Sequence, residues 1–166
     1  MKALLSLVAC FLMAGSLKAE NYEDVKMQII YQNYEEESEV IRQGLGRFNT
    51  PFFGYKEYVD FVVCFKDENQ QVMGGVIAWM RPGIHLLCID TIWVAEHLRN
   101  QGNGTKLMLA AEQEGVKHGC DHSQLETLSF QAKGFHEKLG YEQIGFVEKL
   151  YGEHDAYYMR KILTQP

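Results

Sequence analysis

Arg99-Asn100-Gln101-Gly102-Asn103-Gly104 is the stretch on which the reading of this 166-residue chain turns. It follows an apolar run, 84–94, and leads into 103–118, where Leu107, Met108, Ala110, Ala111 and Val116 supply one apolar side at helical spacing. Glycines at such a junction let backbone N–H groups converge without side-chain obstruction. The helix N-terminus adds partial positive charge, so the turn has the means to cradle a pyrophosphate. A dinucleotide-binding turn would need glycine at 107, where Leu107 stands; a P-loop would need Gly-Lys-Ser/Thr, where the order is Gly104-Thr105-Lys106. Both fail. Taken alone, the six residues fit either another kind of phosphate cradle or a plain strand-to-helix turn.

Working outward, 123–128 reads as a short strand, 132–139 as a short helix, and 140–147 and 156–163 as two more strands around the turn Tyr151-Gly152-Glu153-His154. Upstream, 58–65 and 71–80 are strand-like and, with 84–94, form three sequential runs joined by short turns, an antiparallel meander. Before them lie an expected strand at 26–31 and a helix at 35–48 with Glu35, Glu36, Glu37 and Glu39 in its first turns, stopped by Asn49-Thr50-Pro51. Phe52, Phe53 and Tyr55 follow as an aromatic loop. The order β-α-β-β-β-α-β-α-β-β is an α/β arrangement with a mixed sheet.

Composition narrows the partners. With 22 acidic against 16 basic side chains the net charge is −6, which disfavours a nucleic-acid binder, since phosphate neutralisation needs clustered Lys and Arg. Met1 to Ala19 reads MKALLSLVACFLMAGSLKA, the layout of a signal peptide with cleavage after Ala19, and its apolar run is too short to span a bilayer. Leu17 at the minus-three position departs from the small residue such a site prefers. A chain exported through 1–19 would be periplasmic or secreted; one begun at Met27 would be cytoplasmic. Cys10, Cys64, Cys88 and Cys120 show no C-x-x-C spacing, and Cys64 and Cys88 lie in apolar strand-like runs as small buried hydrophobes. His118, Cys120, Asp121 and His122 form a metal-like cluster at a helix end, but we expect no metal there.

With its flanks, the glycine turn resembles the acetyl-CoA loop of the GNAT superfamily of N-acetyltransferases, whose pattern is Arg/Gln-x-x-Gly-x-Gly/Ala after a strand ending five residues before the Arg, here Val94. Ile89-Asp90-Thr91-Ile92-Trp93-Val94 resembles the family's fourth strand. Leu125-Glu126-Thr127-Leu128-Ser129-Phe130-Gln131-Ala132 is similar to a fifth-strand signature of many small bacterial members. Phe135-His136-Glu137-Lys138-Leu139-Gly140-Tyr141-Glu142 is similar to the element F-Y-E-K-L-G-Y-E. The resemblance covers 27–163.

It implies a mixed, mostly antiparallel sheet flanked by helices, splayed between the fourth and fifth strands, and transfer of an acetyl group from acetyl-CoA to a small-molecule amine. The amides of Arg99, Asn100, Gln101, Gly102, Asn103 and Gly104, with Thr105, would hold the pyrophosphate. An amide among Ile92, Trp93 and Val94 would polarise the thioester carbonyl. Ser129 stands where many members have an Asn reaching the cofactor. His136 replaces the family's usual acidic Tyr, and an imidazolium of ordinary pKa ~6.5 suits proton donation. Asp90, a carboxylate within an apolar run, is the expected base, whether paired, cleft-facing or desolvated. Glu126 and His154 are expected substrate contacts; Trp93 and the 52–55 aromatics are core or acceptor-pocket residues. A fold that binds acyl-CoA or a protein partner without catalysis is the alternative. The acceptor amine is not legible, and a homodimer is left open.

Overall fold

The computed structural model describes residues 26–53 and 58–163; the signal-like leader 1–19 and Tyr55 lie outside them. The chain divides into two compact units, one ending at Gly44 and one starting at Leu45. In the first, residues 26–31 carry no strand, contrary to expectation, and Met27, Ile29 and Tyr31 are 98%, 81% and 83% exposed. A run with Lys26 and Gln28 interleaved has strand-like alternation, but alternation supplies no ladder partner, and among the described residues none is present. Helix α1 (Glu35–Phe53) opens on Glu35, Glu36 and Glu37, which complement the helix dipole. It continues through Pro51 instead of stopping at Phe48. Proline removes one N–H bond and crowds the carbonyl four residues back; only Phe52 and Phe53 follow, and the Thr50 hydroxyl donates to the Gly46 carbonyl at 2.8 Å.

The second unit holds a six-stranded sheet in the order β1-β2-β3-β4-β6-β5. β1 (Val59–Lys66), β2 (Val72–Arg81) and β3 (Leu86–Val94) form the expected antiparallel meander. β3 starts two residues later than expected because Pro82–Ile84 closes a 3-10 turn, with the His85 N–H donating to the Pro82 carbonyl at 3.0 Å. Helix α2 (Asn103–Lys117) then crosses over to β4 (His122–Leu128), which runs parallel to β3. The short helix α3 (Lys133–Lys138) and the hairpin β5 (Glu142–Tyr151) and β6 (His154–Ile162) complete the fold, with β6 antiparallel to both β4 and β5. α2 buries Leu107, Met108 and Ala111 against Val76, Ala78, Leu87 and Ile89 of the sheet, joined by Leu125, Tyr141 and Met159. β2, β3 and β4 therefore turn alternate residues into one apolar layer.

Two features of β3 open the sheet. Ile77 of β2 pairs with Thr91 and Ala78 with Ile89, so Asp90 is an extra residue without a partner on β2, a β-bulge that bends the strand. On the other edge, β3 pairs with β4 only from Leu86–His122 to Ile89–Leu125, although β3 runs on to Val94 and β4 to Leu128. The splay expected between the family's fourth and fifth strands is the divergence of β3 and β4.

Candidate active site

The turn after β3 is held open by its own side chains. Arg99 Nε donates to the Val94 carbonyl at 3.0 Å, Gln101 Nε2 to that of His97 at 2.8 Å, and Asn103 Nδ2 to that of Leu98 at 2.9 Å. These bonds satisfy carbonyls and leave backbone donors free. Among the described residues, no acceptor is placed against the backbone N–H groups of residues 100–105; Lys106 is the first to close, on the Gly102 carbonyl at 3.0 Å. The N–H of Arg99 is already bonded to the Glu96 carbonyl at 3.2 Å, so Arg99 leaves the expected set of pyrophosphate donors and serves as a brace. Free donors at a helix start, reinforced by the dipole, make an anion site.

Two glycines shape this turn in different ways. Gly102 has φ +78°, left-handed backbone that a Cβ strains, yet a Cβ there would meet nothing within 4 Å. Its constraint is conformational, and the space outside it is open to a ligand. At Gly104 a Cβ would lie 3.2 Å from Phe135 Cζ, so that glycine serves the packing of α2 against α3.

Between the diverging strands lies a cleft of about 240 Å³ lined by Ile89, Asp90, Thr91, Ile92, Leu125, Glu126, Thr127, Gln131, Ala132 and His136. Asp90 is exposed and lines one wall, and Thr91 Oγ1 donates to it at 3.1 Å. Glu126 stands on the opposite wall. Its register partner on β6 is Tyr158, whose phenol is held above its usual pKa by hydrogen bonding to the Glu126 carboxylate and by its charge.

His136 is 4% exposed, lies edge-on between Phe135 (5.1 Å) and Tyr141 (5.9 Å), and among the described residues has no hydrogen-bond partner at Nδ1. Burial pulls its pKa down to about 4, so the ring is neutral at pH 7 and not the imidazolium expected from its ordinary value. An orphaned polar atom in a cleft wall suits a bound group that brings its own polar atoms.

The remaining expected residues are divided. Ile92 lines the cleft; Trp93 and Val94 are not among its lining residues. Ser129 and His154 are not brought into it either. Ser129 Oγ accepts from the Asp155 N–H at 3.3 Å and lies 3.5 Å from His154 Nδ1, while the His154 ring packs edge-on to Phe130, tying the end of β4 to the start of β6. Thr127, Gln131 and Ala132 carried no role in the sequence reading, yet they form cleft wall. Gln131 Oε1 accepts the Leu128 N–H at 2.9 Å and fixes the turn that delivers α3. The signal was available in the stretch 125–132 itself. His118 Nδ1 lies 2.9 Å from the Glu114 carbonyl, His122 Nδ1 lies 2.6 Å from Asp121 Oδ1 and Cys120 is a buried free thiol; among the described residues no cluster of three or more His, Cys, Asp or Glu could hold a metal. Among the same residues no helix is long and apolar enough to cross a membrane.

Comparison with known proteins converges on this geometry. Residues 27–141 match the family described as Acetyltransferase (GNAT) family. An acetyltransferase of Agrobacterium fabrum is 29% identical over 110 residues, 66% of this chain and 79% of that protein. Blasticidin-S acetyltransferase of Streptomyces morookaense is 35% identical over 75 residues, 45% of this chain and 54% of that one. A crystal structure of an acetyltransferase from Bacillus cereus superposes with a TM-score of 0.72 at 29% identity, covering 82% of this chain and 99% of the other. The free amides after β3, the splay beside them and the match over 27–141 agree: the chain belongs to the GNAT acetyltransferase family and is an acetyl-CoA-dependent acetyltransferase.

Proposed function

We propose that the protein transfers the acetyl group of acetyl-CoA directly to a primary amine of a small molecule within a ternary complex. The observation that carries this is the run of unpartnered amides at residues 100–105, at the end of the strand that forms one wall of the cleft. Likeness to a protein named for blasticidin S supports a small-molecule acceptor.

Acetyl-CoA supplies an activated thioester; the chain does the rest. The amides of residues 100–105 bind the pyrophosphate. Strand amides alternate between edges, so at least one N–H within Ile92, Trp93 and Val94 faces the edge that β4 has left and can polarise the thioester carbonyl. Asp90 receives the incoming ammonium and, being exposed, passes its proton to solvent. His136, neutral, serves as a hydrogen-bonding group in the cleft wall. It has no imidazolium proton to give, so the departing thiolate takes its proton from the acceptor nitrogen or from water.

Titration of the protein with acetyl-CoA, followed by an amine panel read by thiol release, tests the proposal. Saturable binding and turnover with primary amines is the expected result. Absence of binding, or binding without turnover across a broad panel, would refute it.

A further inference from the structure

We propose that the acceptor carries a second cationic nitrogen besides the amine that is acetylated, with Asp90 receiving the reacting amine and Glu126 receiving the second charge. This rests on the acetyl-transfer reading above and names the class of its acceptor.

Ile89 and Leu125 are the last paired residues of β3 and β4, and Asp90 and Glu126 are the next on each strand. Had the ladder continued, the two carboxylates would stand side by side at the ~4.8 Å spacing of neighbouring strands, an unfavourable like-charge pair. The bulge at Asp90 and the divergence of the strands carry them instead to the two walls of the cleft. Among the described residues, neither carboxylate has a Lys, Arg or His nitrogen within ion-pairing distance. The group hydrogen-bonded to Asp90 is a neutral hydroxyl, that of Thr91, and the register neighbour of Glu126 on β6 is Tyr158, also neutral. Hydroxyl donors orient a carboxylate without cancelling its charge.

The cleft wall between them adds no cation, because His136 is buried and its Nδ1 is unpartnered. The site thus offers two uncompensated negative charges and one orphaned polar atom to whatever enters. A monoamine neutralises one carboxylate and leaves the other facing the occupied cleft. A molecule with two cationic nitrogens, spaced wider than neighbouring strands, neutralises both.

The test uses the full chain saturated with CoA, at ~150 mM salt so that the general field of an acidic protein is largely screened. CoA is titrated first; 1,5-diaminopentane and pentylamine are then compared by calorimetry. The diamine should bind about tenfold or more tightly than the monoamine. Glu126→Gln, an isosteric change at an exposed position, should bring the diamine to within about twofold of the monoamine. Equal affinities for the two amines, no binding of either, or a preference that survives Glu126→Gln would each overturn the proposal. A missing CoA heat strikes at the acetyl-transfer reading; a normal CoA heat followed by equal amine affinities strikes at this one.

Discussion

Replacing Gly102 by Asp and by Asn separates the backbone requirement of the anion turn from its charge. Gly102 sits at φ +78° with open space where a Cβ would go, so neither side chain meets a clash. Both residues tolerate left-handed backbone better than most, at about 1 kcal/mol each against glycine. They are near-isosteric and differ by one charge. A carboxylate at position 102 would stand among the free N–H groups of residues 100–105 and in the path of a bound pyrophosphate. At ~5 Å and an effective dielectric of ~20, each like-charge pair costs about 3 kcal/mol, and partial screening at an exposed turn leaves about 1–3 kcal/mol. Gly102→Asp should therefore bind acetyl-CoA roughly ten- to a hundredfold more weakly than Gly102→Asn, with similar melting temperatures. The gap should narrow as salt rises. Calorimetric titration at two ionic strengths, with thermal melts as the folding control, reads this directly. Equal affinities for the two variants would refute the assignment of this turn to the pyrophosphate.

Other predictions concern the support behind the cleft. Lys161 Nζ bonds Glu112 Oε2 at 2.6 Å with both side chains largely buried; Lys161→Met strands the carboxylate and should cost about 3–5 kcal/mol in urea unfolding, most of it recovered in the double variant with Glu112→Leu. Tyr141→Phe leaves the fully buried Ser123 hydroxyl without its 2.8 Å partner and should cost about 1–2 kcal/mol in the same assay. His136 has a folded pKa of about 4 against an ordinary 6.5, so the unfolded chain takes up its proton first as pH falls. Its contribution is present above pH 6.5 and is lost between 6.5 and about 4, on the order of 2–3 kcal/mol. Denaturant unfolding at pH 7, 5.5 and 4.5 should show a shallower acid limb for His136→Phe than for the parent; parallel limbs would contradict a buried neutral ring.

The sequence by itself determined the parts of this protein that depend on local chemistry. Gly102 and Gly104 at a strand-to-helix junction, with an apolar helical stripe behind them, mark a strand-to-helix turn with free N–H groups, because those groups and left-handed backbone are properties of a few consecutive residues; only the flanking motifs separated an anion turn from a plain one. The meander from Val59 to Val94 was legible for the same reason: alternating residues and short turns pair neighbours in the chain. The segment 26–31 shows the limit, since a strand needs a partner that its own residues cannot supply. So does His136. Its position in the motif marked it for the site, but its neutral state follows from burial between Phe135 and Tyr141, which only packing creates. Arg99 became a brace once its N–H met the Glu96 carbonyl and its side chain the Val94 carbonyl, while Ser129 and His154 turned to each other and away from the cleft. Tertiary structure alone set Asp90 and Glu126 on facing walls. They lie far apart in sequence, and a bulge with a parallel crossover brings them together through non-local pairing.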